Sequence, residues 1–178
     1  MKKKTVKSVL AVVTALSMMS SITVMAKEEN KTASQEDFLN DLKTGIENRW
    51  EISDNGGDTA SMSSDEVVKF DTNLVNAEYD LLKKYKDCTF DNAKFTMLAD
   101  AYITALETQL NGIKYYKDSN SVYLQYWNAG YNVRAIVFPD FVDYYGLNID
   151  DTASLQEFRN TKTALESGVG TYTVTTTT

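Results

Sequence analysis

Between Phe38 and Leu165 apolar side chains return at steps of three and four in successive stretches, and the only proline of the sequence lies inside one of them. That spacing is the period of an α-helix with a single buried face, whereas a half-buried strand needs strict alternation. The first helix is predicted to start at Ser34, where S-Q-E-D places Asp37 in the acidic position of a capping box. Phe38, Leu42, Ile46 and Trp50 form its apolar stripe, broadened by Leu39, and Gly45 weakens it slightly. Residues 53–62 are a loop by composition. A second box, Ser63 with Glu66, opens a helix carrying Val67, Phe70, Leu74, Ala77, Leu81 and Tyr85. Lys83, Lys84 and Lys86 lie where positive charge complements the end of its dipole.

A third helix is expected to begin after Thr89 or Asp91 and to reach about Lys117, with Phe95, Leu98, Tyr102, Ala105, Ile113 and Tyr116 on one side and Leu106 and Leu110 alongside. After a turn at residues 118–121, Tyr123, Trp127, Tyr131, Arg134 and Phe138 mark a fourth. Pro139 should kink that helix or begin a new short one. Gly146 and Leu147 form a glycine stop with its apolar contact. The fifth helix starts near Thr152 to Ser154, with Ser154 and Glu157 as capping pair. Leu155, Phe158 and Leu165 are its buried side, and Gly168 ends it. The fold class expected is all-α, a small bundle of about five amphipathic helices.

The first 26 residues belong to a different pattern. Four lysines without an acid precede an apolar stretch from Ser8 to about Ser20, and Val24-Met25-Ala26 supplies a cleavage site. This is the arrangement of a secretory signal peptide, and the apolar stretch is too short to span a bilayer comfortably. The expected organisation is a signal peptide over 1–26, a flexible lead-in over 27–33, a helical bundle over 34–168 and a Thr-rich tail over 169–178. The tail is expected to be disordered or the stub of a further domain. Cleavage after Ala26 leaves 152 residues and lowers the net charge from −7 to −11. Chains of this size bury enough surface to need no staple. The acidic surface argues against nucleic acid and anionic lipid as partners. No stable membrane insertion is expected after cleavage, and the mature chain should be secreted, with association to the cell wall open.

The sequence contains no histidine and one cysteine, Cys88. Triads built on imidazole, His-ligated zinc and haem, and an internal disulfide therefore have no residues to form them. The glycine-rich phosphate loops and the G-x-S-x-G elbow are also missing. Cys88 has no histidine to activate it and is read as a half-buried packing residue. Asp140 and Asp143 sit one helical turn apart, which keeps open a carboxylate-based hydrolysis of wall or extracellular polysaccharide. Asp54, Asn55 and Asp58 lack EF-hand spacing, so a polar glycine turn explains them better than calcium. No catalytic residue, metal ligand or cofactor is assigned.

The most distinctive cluster is aromatic. Residues 113–131 hold five tyrosines and a tryptophan around one turn. Such rings either fill a bundle core or present apolar faces with polar tips to a partner. Tyr115, Tyr116, Tyr126, Trp127, Tyr131 and Arg134 are the candidate binding residues, with Trp127 and Tyr131 the ones expected to turn inward. Gly130 allows another helix to approach closely. Arg134 and Arg49 are read first as structural ion pairs, with Glu47, Glu78 and Glu107 as possible partners, and second as anchors for a ligand carboxylate.

Several of these segments together resemble a helical domain that recurs in exported proteins and lipoproteins of low-GC Gram-positive bacteria. They are Arg49-Trp50, K-K-Y-K-D-C-T-F-D-N-A-K-F, Tyr102 to Leu106, W-N-A-G-Y-N-V-R and D-Y-Y-G-L, and they cover roughly residues 36–160. That family is uncharacterised, so the resemblance implies an extracytoplasmic location and a helical fold and transfers no catalytic residues. Members are often lipoproteins or carry a further β-rich domain, whereas this sequence shows no lipid-attachment cysteine and runs into the Thr-rich tail. The function expected is a non-enzymatic interaction module at the bacterial cell envelope, with an envelope protein or wall glycan as partner. The alternatives are the carboxylate hydrolase and a structural remnant of a larger exported protein.

Overall fold

A computed structural model describes residues 31–168, and the expected signal peptide and Thr-rich tail lie outside the described residues. Five helices make an all-α bundle: α1 Gln35–Asn55, α2 Ser64–Leu82, α3 Ala93–Ile113, α4 Asn120–Tyr145 and α5 Ala153–Glu166. Each packs chiefly on a neighbour in sequence, and α3 with α4 is the most extensive pair. α1 closes the bundle against α4 through Phe38 on Phe141 and Trp50 on Phe138.

Capping chemistry sets most of the starts. The Ser34 hydroxyl accepts from the Asp37 amide, and Ser63 with Glu66 forms a complete capping box. Asn92 caps α3, and α5 is capped by Thr152 rather than Ser154. At the end of α4, Gly146 takes φ 72° and Leu147 N–H returns to the Phe141 carbonyl at 2.9 Å. The Gly146 N–H returns to the same carbonyl, so the helix closes on a left-handed glycine with Leu147 buried as its apolar contact.

Three details depart from the sequence pattern. α3 ends at Ile113, four residues before the expected limit at Lys117, and a series of turns leads into α4. α4 runs unbroken through Pro139. The lost backbone bond at that position is set against the burial of Val137, Phe138, Pro139 and Phe141 on one stretch of helix. In α2 the buried face is turned from the expected stripe. Phe70, Ala77 and Leu81 lie half-buried at its margin, and its centre is Asp71, Leu74, Val75, Glu78 and Leu82.

Ahead of α1, Thr32 pairs with Thr89 in an isolated parallel bridge. Ala33 N–H donates to Thr89 O at 2.9 Å, and Thr89 N–H donates to Lys31 O at 3.0 Å. The expected flexible lead-in is thus held over its last three residues. Phe38, one turn into α1, lies at the centre of an aromatic cluster with Tyr85, Phe90, Phe95 and Phe141. Gly45 has a packing role beyond its helix cost. A Cβ there would stand 2.9 Å from Glu78 Cα, so its absence lets α1 and α2 touch at the level of that carboxylate.

Candidate functional site

The rings of residues 115–131 divide into an outer pair and an inner ladder. Tyr115, in the turn after α3, and Tyr126, in the second turn of α4, stack at 5.8 Å with planes 20° apart. They are 43% and 38% exposed, which leaves one face of each available to solvent. Gly112 makes this possible, because a Cβ there would meet Tyr126 Cβ at 2.5 Å. Tyr116 is half-buried and meets the buried Tyr123 edge-on at 4.9 Å. Tyr123 in turn lies 5.7 Å from Trp127. Trp127 is half-buried, with the Arg49 guanidinium 5.8 Å above its ring. Tyr131 faces α5, where its hydroxyl donates to Glu157 at 2.8 Å and its ring meets Phe158 edge-on.

Of the six candidate binding residues, then, Tyr115 and Tyr126 form one exposed surface, and Tyr116 and Trp127 are half-buried against Tyr123. Tyr131 lies apart, in the contact with α5. Arg134 is 1% exposed and belongs to the core, in the structural ion pair that was the first of its two readings.

That core contains a charge network. Both Arg49 Nη1 at 3.0 Å and Arg134 Nη2 at 2.5 Å donate to Glu78 Oε1. The Tyr102 hydroxyl donates to Glu78 Oε2. Gln109 accepts from Arg49 at 3.4 Å and donates to the Trp127 carbonyl. The helix seam is built to admit these groups: a Cβ on Gly130 would lie 2.5 Å from both Ala105 O and Gln109 Cγ. The two arginines share Glu78 unequally. Burial lowers Arg49 to about 10, helped by the like charge of Arg134. Burial also opposes the charge on Arg134, but Glu78 and Tyr102 more than offset it and its pKa rises.

Asp71, one turn before Val75 and two before Glu78, is 6% exposed and, among the described residues, has no guanidinium or ammonium in contact. Its Oδ2 accepts from the Tyr123 hydroxyl at 2.8 Å. Burial raises its pKa to about 6, against the lowering effects of that hydrogen bond and of Arg49 at longer range. A carboxyl whose folded pKa lies above its unfolded value near 3.9 stabilises the fold fully below about pH 4. That stability is lost as pH rises through about 6, and the shift corresponds to about 2–3 kcal/mol. Asp71→Asn keeps an acceptor for Tyr123 and cannot ionise. Urea melts at pH 4 and pH 7 should show the variant gaining about 2–3 kcal/mol on the native chain between the two. Parallel pH profiles would mean that Asp71 is not desolvated.

The remaining candidates are engaged locally. Asp143 accepts a bidentate pair from Arg159 at 2.9 and 2.8 Å, which holds its carboxyl below the ordinary range. Asp140 is paired with Lys162. Asp143 therefore lacks the proton-retaining character of a general acid. Asp58 caps the turn at Thr59–Ser61, and the Asn55 amide donates to Glu51 O. Among the described residues no group of three or more acids or cysteines is placed to hold a metal. Cys88 is buried and unpaired, with its thiol 3.6 Å from Lys84 O.

Asp71 and Gln109 were not singled out from the sequence, and Tyr102 was read there only as a packing residue. The signal that could have found them is the seven-residue step from Asp71 to Glu78, two acids at equivalent positions of an otherwise apolar face. No family model matches the chain, and neither a curated protein nor a solved structure matches it.

Proposed function

We propose that the chain is a non-enzymatic, extracytoplasmic helical module that docks another component of the bacterial cell envelope through Tyr115 and Tyr126. The observation that carries this reading is the stacked pair itself. Two large rings are held at the surface with their stacking partner and their supporting glycine supplied by the fold. Tyrosine rings of this kind give apolar contact at small entropic cost while their hydroxyls remain free to hydrogen-bond. The signal-peptide pattern and the resemblance to an exported helical domain support the location.

Tyr115→Ala/Tyr126→Ala is the variant to test, because Tyr116 is half-buried and its removal would disturb Tyr123. Residues 27–178 should co-sediment saturably with isolated cell walls, and the double variant should lose most of this binding. Its circular dichroism should be unchanged, since one exposed aromatic pair contributes about 1 kcal/mol. Sedimentation undiminished in the double variant would remove the pair from the function. No sedimentation of either protein would dismiss the wall-glycan partner and leave an envelope protein.

A further inference from the structure

The opposite end of α4 carries a groove of ≈530 Å³, open on one side, between the first two turns of α1 and residues 145–148. We infer that this groove binds a short neutral glycan, through carboxamides on its rim and the Tyr145 ring and aliphatic groups on its floor. Its rim holds Gln35, Asn40 and Asn148, and its floor holds Leu39, Tyr145 and Leu147. Leu39 and Tyr145 are half-buried and Leu147 is buried, so the floor is fixed by the core behind it. Tyr145 is held from behind, edge-on to Phe95 at 5.0 Å.

The chemistry of the rim selects the ligand class. Each carboxamide offers two donors and an acceptor. Among the described residues no hydrogen bond engages the side chains of Gln35, Asn40 or Asn148. A sugar presents hydroxyls, each donor and acceptor, around apolar C–H faces, which matches carboxamides above and an aromatic and aliphatic surface below. The formal charges at the groove cancel, Glu36 against Lys43, and Lys43 is already paired with Glu47. Such a rim gives no net attraction to an anionic ligand.

This site stands on different residues from the aromatic pair. Tyr126 and Tyr145 are nineteen positions apart on one helix, about 28 Å at 1.5 Å per residue.

The test is an NMR titration of ¹⁵N-labelled residues 27–178 with N,N′,N″-triacetylchitotriose, and with trigalacturonate as the anionic comparison. The neutral trisaccharide should shift the side-chain amides of Gln35, Asn40 and Asn148 and the backbone amides of 145–148. Trigalacturonate should not shift them. Asn40→Ala and Asn148→Ala, both at exposed positions, should each weaken binding at least tenfold with the remaining spectrum intact. Tyr126→Ala should leave it unchanged, which separates this site from the aromatic pair. No shift at millimolar trisaccharide would overturn the inference. So would shifts confined to residues 115–127, which would place the glycan on the stacked tyrosines instead, and so would equal shifts from the anionic sugar.

Discussion

Replacing Glu78 with alanine is expected to remove about 3–5 kcal/mol of folding free energy, lowering the melting temperature by roughly 6–20 °C for a domain of this length. Glu78 is 0% exposed and is, among the described residues, the one carboxylate in hydrogen-bond contact with both Arg49 and Arg134. Its loss leaves two guanidinium groups in the core with only neutral partners, Gln109 for one and Tyr102 for the other. The desolvation cost of those charges was met by the shared anion, and removing it exposes that cost in full. Glu78→Gln should be nearly as damaging, because an amide cannot offset two positive charges and its own donors would face the guanidiniums. Replacing all three groups with apolar residues, Arg49→Met/Glu78→Leu/Arg134→Met, should recover most of the loss, since an apolar core carries no such cost. Urea melts of the three variants decide the matter. A loss under about 1 kcal/mol for Glu78→Ala would mean that water reaches the arginines and that the network is not sealed.

This network also marks where sequence reasoning reached its limit. The helices were legible because their apolar periodicity, capping residues and the Gly146 stop all act locally, within a turn or two of chain. Arg134 was legible as a misplaced charge on an apolar stripe, and Glu78 as one of three possible partners. What could not be read was the choice among them, because it depends on which face of α2 turns inward. Counting Phe70, Ala77 and Leu81 as the buried stripe follows hydrophobicity alone. The observed face admits Asp71 and Glu78 instead, because Arg49 on α1, Arg134 on α4 and Tyr123 on α4 meet them there. A buried charge is determined by its partners across the bundle, and those are dozens of residues away. The same reasoning applies to the aromatic cluster. Its concentration near one turn was visible, but the separation of Tyr115 and Tyr126 from Tyr116 and Trp127 required the approach of α4 over Gly112. The groove at 145–148 lacked any local signature, since its rim joins the start of α1 to residues more than a hundred positions later.

The second large effect is expected at Phe38, where substitution by alanine should cost about 3–5 kcal/mol. Its ring is 0% exposed and lies 5.3–5.5 Å from the centroids of Tyr85, Phe90, Phe95 and Phe141. Those four come from the turn after α2, the segment before α3, α3 itself and α4, so this one ring joins most of the bundle to α1. Three of the contacts are edge-on, the arrangement in which ring quadrupoles attract, and each such pair adds about 0.5–1.5 kcal/mol beyond area burial. The surrounding rings are themselves packed against one another, Phe90 on Phe95 at 4.8 Å and Phe95 on Phe141 at 5.4 Å. They are therefore poorly placed to collapse into the space, and the cavity term should be near its full size. Phe38→Leu, which keeps most of the volume and loses the ring geometry, should cost less than Phe38→Ala but still about 1.5 kcal/mol or more. The damage should also be directional. Phe38 sits one turn after the Ala33–Thr89 hydrogen bond, so hydrogen exchange at the Ala33 amide should accelerate in Phe38→Ala beyond the change in global stability. Exchange at Ala33 that rises only in step with the global loss would show that the anchoring bridge opens independently of the aromatic cluster. The first outcome would make Phe38 the residue that transmits core packing to the start of the bundle, where α1 also supplies one wall of the groove.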